Sequence, residues 1–208
     1  MKIYDDMKKI FTLTLALVLA IAFTISSCTN KKSENNMKKT SFLTLATERY
    51  SVRHFSDTPV PQELIDSILE AAKLAPTAVN SQPQMIYLLR SKEAIEKANR
   101  ISPCIYGAPQ VFLVCYDDNR VCQRGDSDNY GDIDCSIVIT HMLLEAKDLG
   151  LGSCPVGYFN PDDAIREFDL PENIHPVLLI PFGYPADDAA PSERHAQYRD
   201  MAEMVKEL

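Results

Sequence analysis

One segment restricts the fold more than any other. Ile133 to Leu149 places Ile137, Val138, His141, Met142, Leu144 and Leu149 on one broad stripe. That is the mark of a long helix buried on more than one side and closed by Gly150. A chain holding such a helix must pack other elements around it. Pro61-Gln62-Glu63 opens a second helix, in which Leu64, Ile65, Ile68, Leu69, Ala72 and Leu74 recur at helical spacing until Pro76 ends it. Ala94 to Arg100 is helical in composition, Phe42-Leu43 with Ala46 forms a short amphipathic turn, and Arg194 to Leu208 reads as a polar, peripheral helix. Between these lie the apolar runs Met85 to Leu89, Val111 to Tyr116 and Val177 to Pro181, each short enough for a strand and flanked by proline, glycine or charge. Long helices interleaved with a few short strands predict an α+β or α/β domain.

The 208 residues suffice for one such domain and a leader. Lys8 and Lys9 precede an apolar run from Ile10 to Ile25, followed by Ser26-Ser27-Cys28. A basic flank, an apolar stretch and small residues at a cleavage point make a secretory signal. Ile25-Ser26-Ser27-Cys28 resembles the bacterial lipobox, with Cys28 as the acylated residue, and lipid chains there would hold the protein at a bilayer surface. An uncleaved N-terminal anchor is the alternative. Translation from Met37 would leave a cytoplasmic protein without a signal. The expected organisation is therefore a lipoprotein signal over residues 1–28, a flexible Lys- and Asn-rich tether over 29–40, and a folded domain over 41–208.

Charge and motifs remove several functions. A net charge of −8 leaves no basic face for nucleic acid. G-x-G-x-x-G, the Walker lysine loop, H-E-x-x-H and G-x-S-x-G are all absent. His54, His141, His175 and His195 lack ligand spacing, and no pair of cysteines is spaced C-x-x-C, so no metal site is expected. Asp126 to Gly131 starts like a calcium loop, but Tyr130 takes a ligand position and Ile137 stands where the closing glutamate belongs.

Two segments remain unusual. Arg49-Tyr50-Ser51-Val52-Arg53 sets two guanidiniums and a hydroxyl at alternate positions, which project to one side of an extended backbone. Such a fork can hold a phosphate through charge-assisted hydrogen bonds, although a solvated charged edge has the same composition. Ala75 to Pro83 is fenced by prolines and carries Asn80 and Gln82, whose amides suit the edge of a heterocycle.

In order and spacing, these segments resemble the FMN-dependent nitroreductase family. The matching stretches are E-R-Y-S-V-R-H-F at Glu48–Phe55, A-P-T-A-V-N-S-Q-P at Ala75–Pro83, Ala108-Pro109, L-G-L-G-S-C-P-V-G at Leu149–Gly157, and F-G-Y-P-A at Phe182–Ala186. The resemblance implies a three-layer α+β fold with a central mixed sheet flanked by helices. It assigns Arg49, Ser51 and Arg53 to the flavin phosphate and ribityl chain, with Tyr50 and Val52 between them. Thr77, Asn80 and Gln82 would reach the ribityl and the ring, and Pro155, Val156 and Gly157 would pass beside it, a backbone N–H meeting flavin N5. A late basic residue closes on the phosphate; it falls on Arg194, or on Arg199 if an insertion lies between. The family further implies a homodimer with two FMN sites at its interface, NAD(P)H as co-substrate, ping-pong turnover, and a small nitroaromatic or quinone acceptor. The flavin performs the chemistry, so no catalytic side chain is nominated. A lipoprotein that keeps the fold but binds a ligand without turnover is the rival reading.

Overall fold

The computed structural model describes residues 41–125 and 129–208. The expected signal with Cys28, the expected tether and the start of the calcium-like loop lie outside them. The chain runs α1 (Phe42–Glu48), α2 (Gln62–Leu74), β1 (Gln84–Leu89), α3 (Lys92–Ile101), β2 (Gln110–Asp117), α4 (Gly131–Asp148), β3 (Gly152–Ser153), α5 (Pro161–Phe168), β4 (Ile174–Gly183) and α6 (Met201–Met204). This is an α+β domain, built as one sheet between two helical layers. Among the described residues, no helix is long and apolar enough to cross a membrane.

Local chemistry sets most of these boundaries. Ser41 and Ser91 cap α1 and α3 by accepting from Thr44 N and Ala94 N. Asn160 caps α5, Pro161 opens it, and Asp169 ends it in the left-handed region at φ 50°. That helix was not anticipated, although its cap, proline and acidic first turn are all visible in the sequence. The expected helix from Arg194 to Leu208 is instead a 3-10 turn at Glu193–Ala196 and the single turn α6. A polar segment with no face to bury does not sustain a long helix.

The strand order is β1-β2-β4-β3, and every named pair is antiparallel. The sheet is thus antiparallel and not the mixed sheet expected; the parallel pairing of Ser51 with Ser153 is an isolated bridge outside the named strands. Strand β2 lies in the middle and alternates cleanly. Phe112 and Val114 face one layer with Ile65 and Ile68 of α2 and Val138 and Met142 of α4, and Phe112 stacks on Phe182 of β4 at 4.3 Å. Val111, Leu113 and Cys115 face the other layer, in one cluster with Ala98 of α3 and Ile165 and Phe168 of α5. Helix α4 keeps Val138, Ile139, Met142, Leu143 and Ala146 in the core. Its Ile137 and Leu144 stay half-buried and Ile133 is 43% exposed, so the second side of the stripe lies open in a single chain.

The five cysteines among the described residues are free thiols. Burial pushes the Cys115 thiol up to about 12. At pH 8 about one part in ten thousand of it is thiolate, the reactive form. Iodoacetamide at that pH should therefore label the half-buried Cys122 and spare Cys115, as peptide mass spectrometry would read; equal labelling would contradict the packing of β2.

Candidate cofactor site

The fork is built by a close backbone approach. Val52 N donates to Ser153 O at 3.0 Å beside the Ser51–Ser153 bridge, and Val52 itself is only 2% exposed. With Val52 turned into the protein, its neighbours on alternate positions, Ser51 and Arg53, turn outward. Gly152 makes the approach feasible, because a Cβ there would stand 2.6 Å from Val52 Cγ2.

Arg49 and Ser51 line a cavity of about 350 Å³ together with Phe42, Thr140, Leu144 and Pro155. Within the described structure Arg49 Nη1 is buried with no hydrogen-bond partner. A buried guanidinium nitrogen without an acceptor is costly, and an anion entering the cavity would remove that cost. Arg53 stands to one side: it is exposed, donates through Nη1 to Ser51 O at 3.2 Å, and holds its guanidinium 5.9 Å from the centre of the Tyr106 ring. Burial raises the Cys154 thiol, while the Arg53 guanidinium, the Ser51 hydroxyl and Arg49 pull the other way.

The turn Pro155-Val156-Gly157 follows directly. Proline has no N–H, and Val156 N donates to Leu179 O at 2.8 Å, with Leu179 N returning the bond at 2.9 Å. Gly157, which is exposed, is the position left in this turn to offer a backbone donor.

The Thr77–Gln82 segment forms a tight, strained loop. Val79, Asn80 and Gln82 have φ of 46°, 57° and 48°. For residues other than glycine this region costs on the order of 1–3 kcal/mol each, so the surroundings must impose it. Thr77 Oγ1 accepts from Gln82 N at 3.0 Å, Asp134 Oδ1 accepts from Ala78 N at 2.9 Å, and Gln82 Nε2 donates to Asn80 Oδ1 at 3.1 Å. Asn80 and Gln82 are exposed, with the Asn80 NH₂ and the Gln82 carbonyl directed elsewhere than at each other. No residue of this loop lines the cavity of Arg49 and Ser51. The loop meets α4 at Asp134, the cavity meets it at Thr140, and six residues of helix separate the two by about 9 Å along the axis.

At the C-terminal end, Arg194 and Arg199 are both exposed, and Arg199 Nε reaches Glu203 at 3.4 Å. The residue that touches the fork's flank is His195, which sequence reasoning did not single out. Its Nε2 lies 3.1 Å from Thr47 O and its ring packs edge-on against Tyr50, with centroids 6.1 Å apart. Tyr50 in turn donates to Ala189 O at 3.3 Å. The turn carrying Arg194 is thus docked against the fork's own segment. Asp134 was also missed; its signal, an acidic residue among the apolar positions of a helix's first turn, was present.

Comparison with known proteins agrees with this architecture. The family model described as the nitroreductase family matches residues 46–103 and 96–184. A Methanothermobacter thermautotrophicus protein, provisionally named NADH dehydrogenase/NAD(P)H nitroreductase, is 34% identical over 162 residues, covering 74% of this chain and 83% of the relative. The Bacillus subtilis FMN reductase [NAD(P)H] is 31% identical over 170 residues, covering 73% and 68%. The crystal structure of a nitroreductase family protein from Clostridium difficile 630 superposes with a TM-score of 0.76 at 40% identity, covering 80% of this chain and 98% of that one. Fold, ordered motifs and matched length together establish that this chain belongs to the nitroreductase family.

Proposed function

We propose that the protein is an FMN-dependent NAD(P)H oxidoreductase that acts as a homodimer on small acceptors such as nitroaromatics or quinones. The single observation that carries this is Arg49 Nη1, buried beside Ser51 in a cavity and lacking an acceptor, which a flavin phosphate would supply. The names of the Methanothermobacter and Bacillus relatives support the nicotinamide donor. Bound FMN would supply the redox chemistry, the passage of a hydride equivalent from NAD(P)H to the acceptor in ping-pong order.

The protein's part is to bind and orient. Arg49 and Ser51 hold the phosphate, Arg53 stays within reach of the same side, and the Glu193–Ala196 turn adds a basic group through Arg194. Gly157 offers its N–H to the ring where Val156 cannot. Asn80 and Gln82 present an NH₂ and a carbonyl, a pair suited to a heterocycle edge. Because this loop sits apart from the cavity in one chain, a second copy is the natural source of the missing wall. The open side of α4, with Ile133, Ile137 and Leu144, is the face such a copy would cover.

Purified protein should be yellow or become so with FMN, should lose its visible absorbance under anaerobic NADPH or NADH, and should regain it with a quinone. A colourless protein that takes up no FMN would exclude the reading in favour of a binding lipoprotein. Ile137→Asp should convert a dimer into a monomer in light scattering and reduce flavin uptake with it. We further propose export and lipid anchoring at Cys28, supported by the lipobox resemblance. Acylation of Cys28 in membrane fractions, detected by mass spectrometry and abolished in Cys28→Ala, is the test.

A further inference from the structure

The strained loop raises a question that the fork does not: what imposes three left-handed conformations on Val79, Asn80 and Gln82 without a glycine among them. Thr77 closes the loop on itself through its Oγ1 and its carbonyl, which accept from Gln82 N and Asn80 N. The far end of the loop is held where Gln82 O accepts from Arg120 Nε at 3.4 Å and Pro83 O accepts from Asp117 N at 2.8 Å, which leaves the near end to be fixed. Within the described structure, its tie to the long helix is the bond from Ala78 N to Asp134 Oδ1 at 2.9 Å, which spans 56 residues of sequence.

Asp134 is 1% exposed, and its second oxygen, Oδ2, has no partner among the described residues. A buried half-satisfied carboxylate is an expensive way to fill a core position, and an apolar side chain would avoid the penalty. Two features offset the cost: the first turn of α4, whose N-terminal end favours a negative charge, and the Ala78 N–H. The second of these requires a side-chain acceptor oxygen at this place in the fold.

We propose that Asp134 is a positioning residue for the cofactor: by holding Ala78 N–H against α4 it fixes the Thr77–Gln82 loop so that Asn80 and Gln82 present their amides in one geometry. The assignment rests on the reading of this loop as flavin-binding. Asp134 touches no reacting atom; it acts through Ala78. The tie fixes the loop's near end before the ligand arrives, so less ordering remains to be done on binding.

The test uses the full chain in five forms: parent, Asp134→Asn, Asp134→Ala, Ala78→Pro and the Asp134→Ala/Ala78→Pro double variant. Asparagine keeps a carbonyl acceptor for Ala78 N–H, and alanine removes it. Proline deletes the donor at the first position of a 3-10 turn, where it fits, and Thr77 already has the extended conformation (φ −130°, ψ 158°) that precedes a proline. Dissociation constants for FMN come from fluorescence titration, and amide exchange of the 77–82 segment is followed by mass spectrometry. Asp134→Ala and Ala78→Pro should each weaken FMN binding about tenfold or more, as loss of a hydrogen bond to a charged group gives. Asp134→Asn should stay within about threefold, and the double variant should be no weaker than the worse single one, because both changes cut the same bond. Exchange should accelerate in the alanine and proline forms and hold in the asparagine form. If Asp134→Ala binds FMN as the parent does, or if the two changes simply add, the proposal is overturned while the flavin reading stands. If the parent itself takes up no FMN, the flavin reading fails first and takes the proposal with it. Should Asp134→Ala not fold, Ala78→Pro against Asp134→Asn decides the matter: weak FMN binding only in the proline form supports the tie, and parent-like binding in both refutes it.

Discussion

Arg49→Ala should weaken FMN binding by about 1.5–3 kcal/mol, the worth of a hydrogen bond to a charged group. That corresponds to roughly a tenfold to 150-fold rise in the dissociation constant. The flavin-free protein should keep its thermal midpoint, because Nη1 of Arg49 is buried without a partner and its removal leaves nothing newly unsatisfied. Arg49→Lys should recover part of the loss, since it restores the charge but not the planar pair of donors. Titration of flavin fluorescence against each variant reads all three. An affinity for FMN that ignores Arg49 would place the phosphate elsewhere and undo the assignment of the cavity.

Gly152→Ala should damage the same site from behind. The added Cβ would lie 2.6, 2.8 and 2.9 Å from Cγ2, Cβ and Cγ1 of Val52. Val52 is 2% exposed and β-branched, so it has no rotamer into which to retreat. The strain should cost about 1–3 kcal/mol of stability, or about 2–4 °C per kcal/mol for a domain of this size. Since Ser51 and Val52 are the residues joined to Ser153, the displaced segment carries the fork with it, and flavin affinity should fall as well. Val52→Ala in the same chain removes Cγ1 and Cγ2 but leaves the Val52 Cβ 2.8 Å from the added methyl, so it should return only part of both losses, a coupling that a double-mutant cycle measures. Parent-like stability and flavin affinity in Gly152→Ala alone would show that the two backbones do not meet as described.

The sequence was informative where physics is local. Alternate positions of an extended segment share a side, so Arg49, Ser51 and Arg53 could be read as a fork, and Arg49 and Ser51 do line one cavity. Arg53 shows the limit of that reading: its direction depends on the Tyr106 ring, which belongs to a different element. The same limit appears at the C-terminus, where composition suggested a helix and the chain forms two short turns, because helical composition without a face to bury carries little stability. His195 was illegible for a related reason. A lone histidine acquires meaning only when Thr47 and Tyr50 are brought to it.

What the amino-acid order settled by itself was most of the elements and their apolar sides: the doubly apolar α4, the proline-opened α2, the helical composition of α3, the short strands, and the fenced loop after Pro76. Periodicity, capping groups and prolines act over a few residues, and a few residues are all they need. Tertiary structure alone decided that the named strands pair antiparallel, that Gly152 admits Val52, that Asp134 meets Ala78, and that the loop stands apart from the cavity in one chain. Each is a meeting between groups distant in the sequence, and nothing in local pattern states which carboxylate will reach which N–H. The packing that brings them together is where those identities are chosen.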